Sequence, residues 1–257
     1  DGSLITWGNP NDGGVSIHLK EELDGSTNIV QIAATTAAFA LLKADGSVVA
    51  WGDINNGGNI SSVENDLSGS IKVVSIYSTD SAFAALRSDG SVITWGNPSK
   101  GGNSSIVSMS LNGQNNVKEI FSNGSAFVAL HDDNTITSWG DSNFGGDSST
   151  VQSIIDGSIE VSTIVSNESG FAALLDNRKV EFWGSEGTSS TNVISSTLSD
   201  KDDIIKIFPA KNAFAALATD GSVTVWGEPS WGGSSFELGF ELSNIADISN
   251  VEYDKEI

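Results

Sequence analysis

Cysteine is absent from the 257 residues, which removes disulfides, thiolate metal sites and a cysteine nucleophile together. Histidine is nearly as scarce: His18 and His131 are the only two, 113 positions apart, and read as lone surface histidines rather than a metal pair. Twelve Lys and Arg face 33 Asp and Glu, a formal charge of −21 that repels phosphate backbones and anionic lipid headgroups. Nucleic acid is therefore not expected as a partner. No apolar run approaches the roughly 18 residues of a membrane-spanning helix, and the first residues carry no signal-peptide pattern, so no membrane insertion is expected. Runs of strong helix formers are missing, as are G-x-S-x-G, a phosphate loop and HExxH. Carboxylates such as Glu21, Glu22, Asp24, Asp200, Asp202, Asp203, Glu237 and Glu241 read as a solvated acidic surface, with a glycosidase pair as the alternative. The expectation is a chain that is not an enzyme.

What the sequence has is a beat. Phe recurs at 39, 83, 127, 171 and 214, and Trp at 7, 51, 95, 139, 183 and 226, with spacings of 44 that shorten once to 43. A period in the forties marks a repeat architecture whose units bury their apolar faces only by stacking on one another. Within each unit two apolar runs, AFAAL and SVITW at Ala82–Trp95, flank Asp89-Gly90. Asp45-Gly46 and Asp220-Gly221 repeat that pair, Asp1-Gly2 opens the chain with it, and Asp133-Asn134 and Asn177-Arg178 are degenerate versions. Asp-Gly predicts a tight primed hairpin turn, with the Arg178 version the weakest. Trp-Gly then leads to a double glycine (Gly13-Gly14, Gly57-Gly58, Gly101-Gly102, Gly145-Gly146, Gly232-Gly233), predicting a sharp change of direction.

The connection that follows carries apolar residues four apart: Leu19/Leu23, Val63/Leu67, Val107/Leu111, Val151/Ile155, Ile194/Leu198 and Leu238/Leu242. That spacing predicts a one-turn helix or turn plugging the outside of each unit, with Ser61 and Glu64 as a capping box. Apolar pairs from Val30/Ile32 through Val74/Ile76, Val117/Ile120, Val161/Ile164 and Ile204/Ile207 to Ile248/Val251 predict a further strand. The expected fold is all-β, a β-propeller of about six blades over 1–257 as a single domain. Five repeats are complete and one is split between the termini, with three to four antiparallel strands per blade and short helical turns in the connections. Ser3–Trp7 is read as one arm of the split blade. A chain opening inside a repeat predicts a piece of a longer protein, with strand exchange between neighbouring copies as a further expectation.

Burying an indole of roughly 200 Å² at about 25 cal/mol/Å² is worth on the order of 5 kcal/mol gross, so the six repeat tryptophans are read as core rather than as a sugar-stacking ring. Large residues where the beat does not require them are more informative about function. Five positions after each Trp stand Asp12, Asn56, Lys100, Phe144 and Trp231, which makes Phe144 and Trp231 candidate anchors. The loop before AFAAL lies at the same end of a blade as the loop after Trp-Gly. Thr35, Asp80, Asn123, Glu168 and Lys211 therefore share a candidate binding face with those anchors. Asp53, Asp141 and Asp147 near the double glycines raise calcium, but Asn97 and Ser185 in equivalent places argue against it, and no cofactor is expected.

The string VVSIYSTDSAFAALRSDGSVITWGNPSKGG resembles the repeat of the regulator of chromosome condensation family, and the shorter period is closer to its bacterial β-lactamase-inhibitor branch. The resemblance spans nearly the whole chain and implies a propeller with three-stranded blades. Members of the chromatin type act as exchange factors or nucleosome binders through basic surfaces, which this acidic chain lacks; the inhibitor type presses loop residues against an enzyme. Together these readings lead to a non-catalytic binding, structural or adhesion module of a secreted or cell-surface bacterial protein, taking a protein or glycan partner on one propeller face. A secreted inhibitor of an enzyme such as a β-lactamase is the alternative.

Overall fold

In the computed structural model, which describes residues 4–16, 19, 24–25, 28–185 and 203–233, every described regular element is a short β-strand or a 3₁₀ turn. Five three-stranded antiparallel sheets follow one another as blades of a propeller-type, all-β fold. They are β1 (Ile29–Ala34), β2 (Ala38–Lys43), β3 (Val48–Gly52); β4 (Val73–Ser78), β5 (Ala82–Arg87), β6 (Val92–Gly96); β7 (Val117–Ser122), β8 (Ala126–His131), β9 (Ile136–Gly140); β10 (Val161–Asn167), β11 (Gly170–Leu175), β12 (Val180–Gly184); and β13 (Ile204–Pro209), β14 (Ala213–Ala218), β15 (Val223–Gly227). Contacts divide the chain into two compact units, 1–160 with 183–185 and 161–182 with 186–257.

The middle strand explains why AFAAL is the signature. Its side chains alternate between the two neighbouring blades. Ala38, Ala40 and Leu42 of β2 join Ile76, Phe83, Ala85 and Trp95 of the second blade in one cluster, while Ala82, Ala84 and Leu86 of β5 join Ile120, Phe127, Ala129 and Trp139 of the third. One edge of each middle strand is thus small so that the next blade's aromatics can press against it. Phe stacks on the Trp opposite it in register, as in Phe39/Trp51, Phe83/Trp95, Phe127/Trp139 and Phe214/Trp226, with centroids 5.2 to 5.4 Å apart.

The connections behave as the four-residue spacing implies where they are described. Leu67, Leu111, Val151 and Ile155 are buried, with Val63 and Val107 packed beside them. Ser61 does not cap: Val63 precedes the 3₁₀ turn Glu64–Leu67 without a side-chain cap, and the Ser61 N–H instead donates to Asn59 Oδ1 at 2.8 Å. A three-residue Asx turn has displaced the capping box. The pairs at 194/198 and 238/242, the strand expected at 248/251, His18 and Leu23 lie outside the described residues; His131 is not a surface histidine but is buried at the end of β8, its ring hydrogen-bonded with the Asn115 carbonyl and the Thr137 hydroxyl.

The hairpins also differ from the expected primed turn. Gly46 N–H donates to the Lys43 carbonyl and Lys43 N–H to the Ser47 carbonyl, so a type I turn is closed by one left-handed residue. That residue is Gly46 (φ +88°), Gly90 (+74°), Asn134 (+66°), Arg178 (+64°) or Gly221 (+77°). Needing one positive φ instead of two lets Arg178 serve; its guanidinium pairs with Asp203 at 3.2 Å.

The aspartate before each glycine closes the turn through its side chain. Asp45 Oδ1 accepts from both the Ser47 N–H and hydroxyl, which holds its carboxyl below the usual value. Asp133 repeats this with Thr135, whose hydroxyl is the main reason its pKa falls from 3.8 to about 2. A depressed folded pKa means the native state holds fewer protons than the unfolded chain, so this stabilisation is complete above 3.8 and lost as pH drops through about 2. The melting temperature should therefore fall between those two values, and Asp133→Asn should flatten the fall; unchanged curvature in the variant would remove Asp133 from the cause.

At the first repeat Trp the structure departs from expectation. Residues 4–7 belong to none of the described sheets, and Trp7 is 82% exposed where its five counterparts are 2 to 3% exposed.

Candidate functional site

The loop between the first and middle strands of the first four blades is held by one side chain, four residues before the repeat Phe; the fifth blade has Ala210 there. Thr35 Oγ1 accepts from the Ala38 N–H and donates to the Asn56 carbonyl at 3.0 Å; Thr79 does the same with Ala82 and the Lys100 carbonyl. Asn123 Oδ1 accepts from Ser125 and Ala126 while Nδ2 donates to the Phe144 carbonyl, and Asn167 accepts from Ser169 and Gly170. Thr35 and Asn123 are thus struts tying the loop before the middle strand to the loop after Trp-Gly.

The next residue is the tip. Counting three back from Phe gives Thr36, Asp80, Gly124, Glu168 and Lys211, so the candidate set mixes two registers, struts with tips. In the first unit the tips hydrogen-bond in sequence: Thr36 N–H and Oγ1 donate to the Asp80 carbonyl at 2.9 and 2.8 Å, and Asp80 N–H donates to the Gly124 carbonyl at 3.1 Å. They surround a shallow pocket of about 410 Å³ lined by residues 34–36, 78–80 and 122–124. Its wall is hydroxyls, amide and backbone with a single carboxylate, Asp80. Gly124 leaves room for that carboxylate, since a Cβ there would stand 2.7 Å from Asp80 Oδ2. Among the described residues no cation pairs with Asp80.

The remaining candidates form two aromatic-cation clusters. Lys100 Nζ lies 5.1 Å from the Phe144 ring centre, donates to Ser125 Oγ at 2.9 Å and pairs with Asp141 at 3.1 Å, so Phe144 is a half-buried support. In the second unit Lys211 stands 4.8 Å over Trp231 and 3.8 Å from Glu168, leaving Trp231 48% exposed. Thr36, Gly124 and Lys100 complete the site; the register count from Phe finds the first two, and the position five after Trp the third.

The acids considered for calcium have other work. Asp53 Oδ1 accepts from the Asn55 and Asn56 N–H groups and Asp141 from Asn143, capping the 3₁₀ turns Ile54–Asn56 and Ser142–Phe144. Asn9 and Asn97 cap the equivalent turns, because the role requires an accepting oxygen and no charge. Asp147 accepts from Ser149.

No protein-family model matches the sequence, and no curated protein does. Among solved structures the chain is similar to the CRINKLY WD40 ectodomain of the Arabidopsis thaliana receptor kinase ACR4, at 15% identity over 80% of this chain and 68% of that one, TM-score 0.47. It is similar to human WBSCR16 (17%, 80% and 63%, 0.48) and to Prp20p of Saccharomyces cerevisiae (18%, 83% and 59%, 0.48). The chain spans about three fifths to two thirds of the length of these proteins.

Proposed function

We propose that this chain is a non-catalytic protein-binding module of a secreted or cell-surface protein, its blades parts of one propeller, and that the tip pocket around Asp80 is its contact site. The observation that supports this is the contrast between frame and tip. The struts at 35, 79 and 123 repeat one hydrogen-bonding job with Thr or Asn, whereas the tips at 36, 80, 124, 168 and 211 change size and charge from blade to blade. A rigid frame carrying varied tips suits recognition. An open pocket whose one carboxylate pairs with no cation among the described residues suits the ammonium or guanidinium of a partner's side chain, and the −21 charge steers such a partner inward.

Selection of a random displayed-peptide library on the immobilised chain should enrich sequences bearing Lys or Arg. Their affinity should fall at least about tenfold in Asp80→Asn, the size of one lost charge-assisted contact. Selected peptides that bind Asp80→Asn equally well, or a glycan array giving tighter ligands than any peptide, would put the reading aside.

A further inference from the structure

Four Asn-x-Ser triplets begin at Asn59, Asn103, Asn123 and Asn167, and none has proline in the middle. That triplet is the acceptor of N-linked glycosylation, a modification that needs the side-chain amide nitrogen free at the protein surface. The repeat sorts the four into two positions. Asn59 and Asn103 stand 44 residues apart, each directly after a double glycine; Asn123 and Asn167 stand 44 apart in the loop before a middle strand.

At Asn123 and Asn167 the nitrogen is engaged. Asn123 Nδ2 donates to the Phe144 carbonyl at 2.9 Å and Asn167 Nδ2 to the Ala213 carbonyl at 3.1 Å, and Asn167 is only 9% exposed. A sugar ring on either nitrogen needs the room that this contact occupies, so it would break the tie. At Asn123 it would also fill the tip pocket, which that residue lines.

At Asn59 and Asn103 only the oxygen is used. Asn59 Oδ1 accepts from the Ser61 N–H at 2.8 Å and Asn103 Oδ1 from the Ser105 N–H at 2.9 Å, and no hydrogen bond among the described residues takes either Nδ2. Both asparagines and both serines are exposed. The next copy of the position is Asp147, whose Oδ1 accepts from the Ser149 N–H at 2.9 Å. The turn therefore asks for an oxygen and leaves the amide nitrogen without a structural role.

We propose that Asn59 and Asn103 are N-glycan acceptors of this chain and that Asn123 and Asn167 are not. The donor is an oligosaccharide carried on a lipid pyrophosphate. Nδ2 forms a bond to the anomeric carbon as the bond from that carbon to the pyrophosphate oxygen breaks; the lipid pyrophosphate leaves with the electron pair, and the amide gives up one proton. In a cell this rests on the secreted or cell-surface reading, since such donors meet chains that leave the cytoplasm, whereas the acceptor geometry stands apart from it.

The test is transfer in vitro onto the folded chain by a single-subunit oligosaccharyltransferase that requires only Asn-x-Ser. Peptides of residues 57–63, 101–107, 121–127 and 165–171 serve as references without a fold. Modified sites are located by mass spectrometry, from the Asn-to-Asp conversion that enzymatic release of the glycan leaves. In the folded chain Asn59 and Asn103 should react as readily as in their peptides. Asn123 and Asn167 should react at least about tenfold less than in theirs, the factor that one buried hydrogen bond supplies. Asn59→Asp and Asn103→Asp, which keep the turn as Asp147 does, should each remove one glycan from the intact mass and leave the melting temperature unchanged. Modification of folded Asn123 or Asn167 at its peptide's rate overturns the inference. So does a folded chain left unmodified at Asn59 and Asn103, or failure of the peptides 57–63 and 101–107 to react. Because the reaction runs outside a cell, its failure bears on these loops and not on the tip pocket or on where the chain resides.

Discussion

Phe127→Ala should lower the unfolding free energy by roughly 3 to 5 kcal/mol, a large part of the total for a domain of this kind. The ring is wholly buried, stacked 5.3 Å from Trp139, with the α-carbon of Gly101 beneath it and the small edge of β5 on its other side. Truncation leaves a void between the Gly101 turn and the alanine edge of β5, which is poorly placed to collapse. Phe39→Ala is the informative comparison. Phe39 occupies the same repeat position, stacked 5.4 Å from Trp51, but it is half-buried and lines an open groove. Its loss should cost about half as much, since water already reaches one side and less apolar area returns to solvent. Urea titrations of the two variants decide it: equal costs would show that the groove face of the first blade is as closed as the seams between later blades.

The blades were legible because their determinants are local. A forty-four-residue beat, one Phe, one Trp and a turn pair specify a three-stranded sheet, and alternation along AFAAL specifies which neighbour each side chain meets. The turn type was less legible, because Asp-Gly suits both a primed turn and a type I turn closed by a left-handed glycine; Arg178 in the same place fits the second better. The capping box at Ser61 was a false lead since Asn59 reaches the same N–H first. At the candidate site, composition marked the right loops but not the register within them. Thr35 and Asn123 look like variable tips in a sequence, and only their hydrogen bonds to Asn56 and Phe144 carbonyls reveal them as struts.

The double glycines hold the remaining large effect, because the structure gives Gly13, Gly57 and Gly101 three tasks each. Gly57 takes φ +96° to close a 3₁₀ turn, its carbonyl accepts from Trp95 Nε1 at 3.0 Å, and its bare α-carbon lies against the Phe83 ring, where a Cβ would stand 2.6 Å from Cδ2. The same carbonyl-to-indole bond recurs from Trp51 to Gly13, Trp139 to Gly101 and Trp183 to Gly145, always 38 residues back, so it stitches successive repeats. Trp226 stands apart: its buried Nε1 has no partner among the described residues, and position 188 is Thr rather than the first of a glycine pair. Gly57→Ala should cost roughly 2 to 4 kcal/mol, about 1 to 2 from the left-handed backbone and the rest from displacing a packed ring. Gly232→Ala separates the two contributions, for Gly232 has φ +90° yet nothing described within 4 Å of the added carbon. It should show the backbone cost alone, about 1 to 2 kcal/mol. If thermal unfolding finds the two variants equally destabilised, the clash with Phe83 contributes nothing and the glycine is there for its φ angle only.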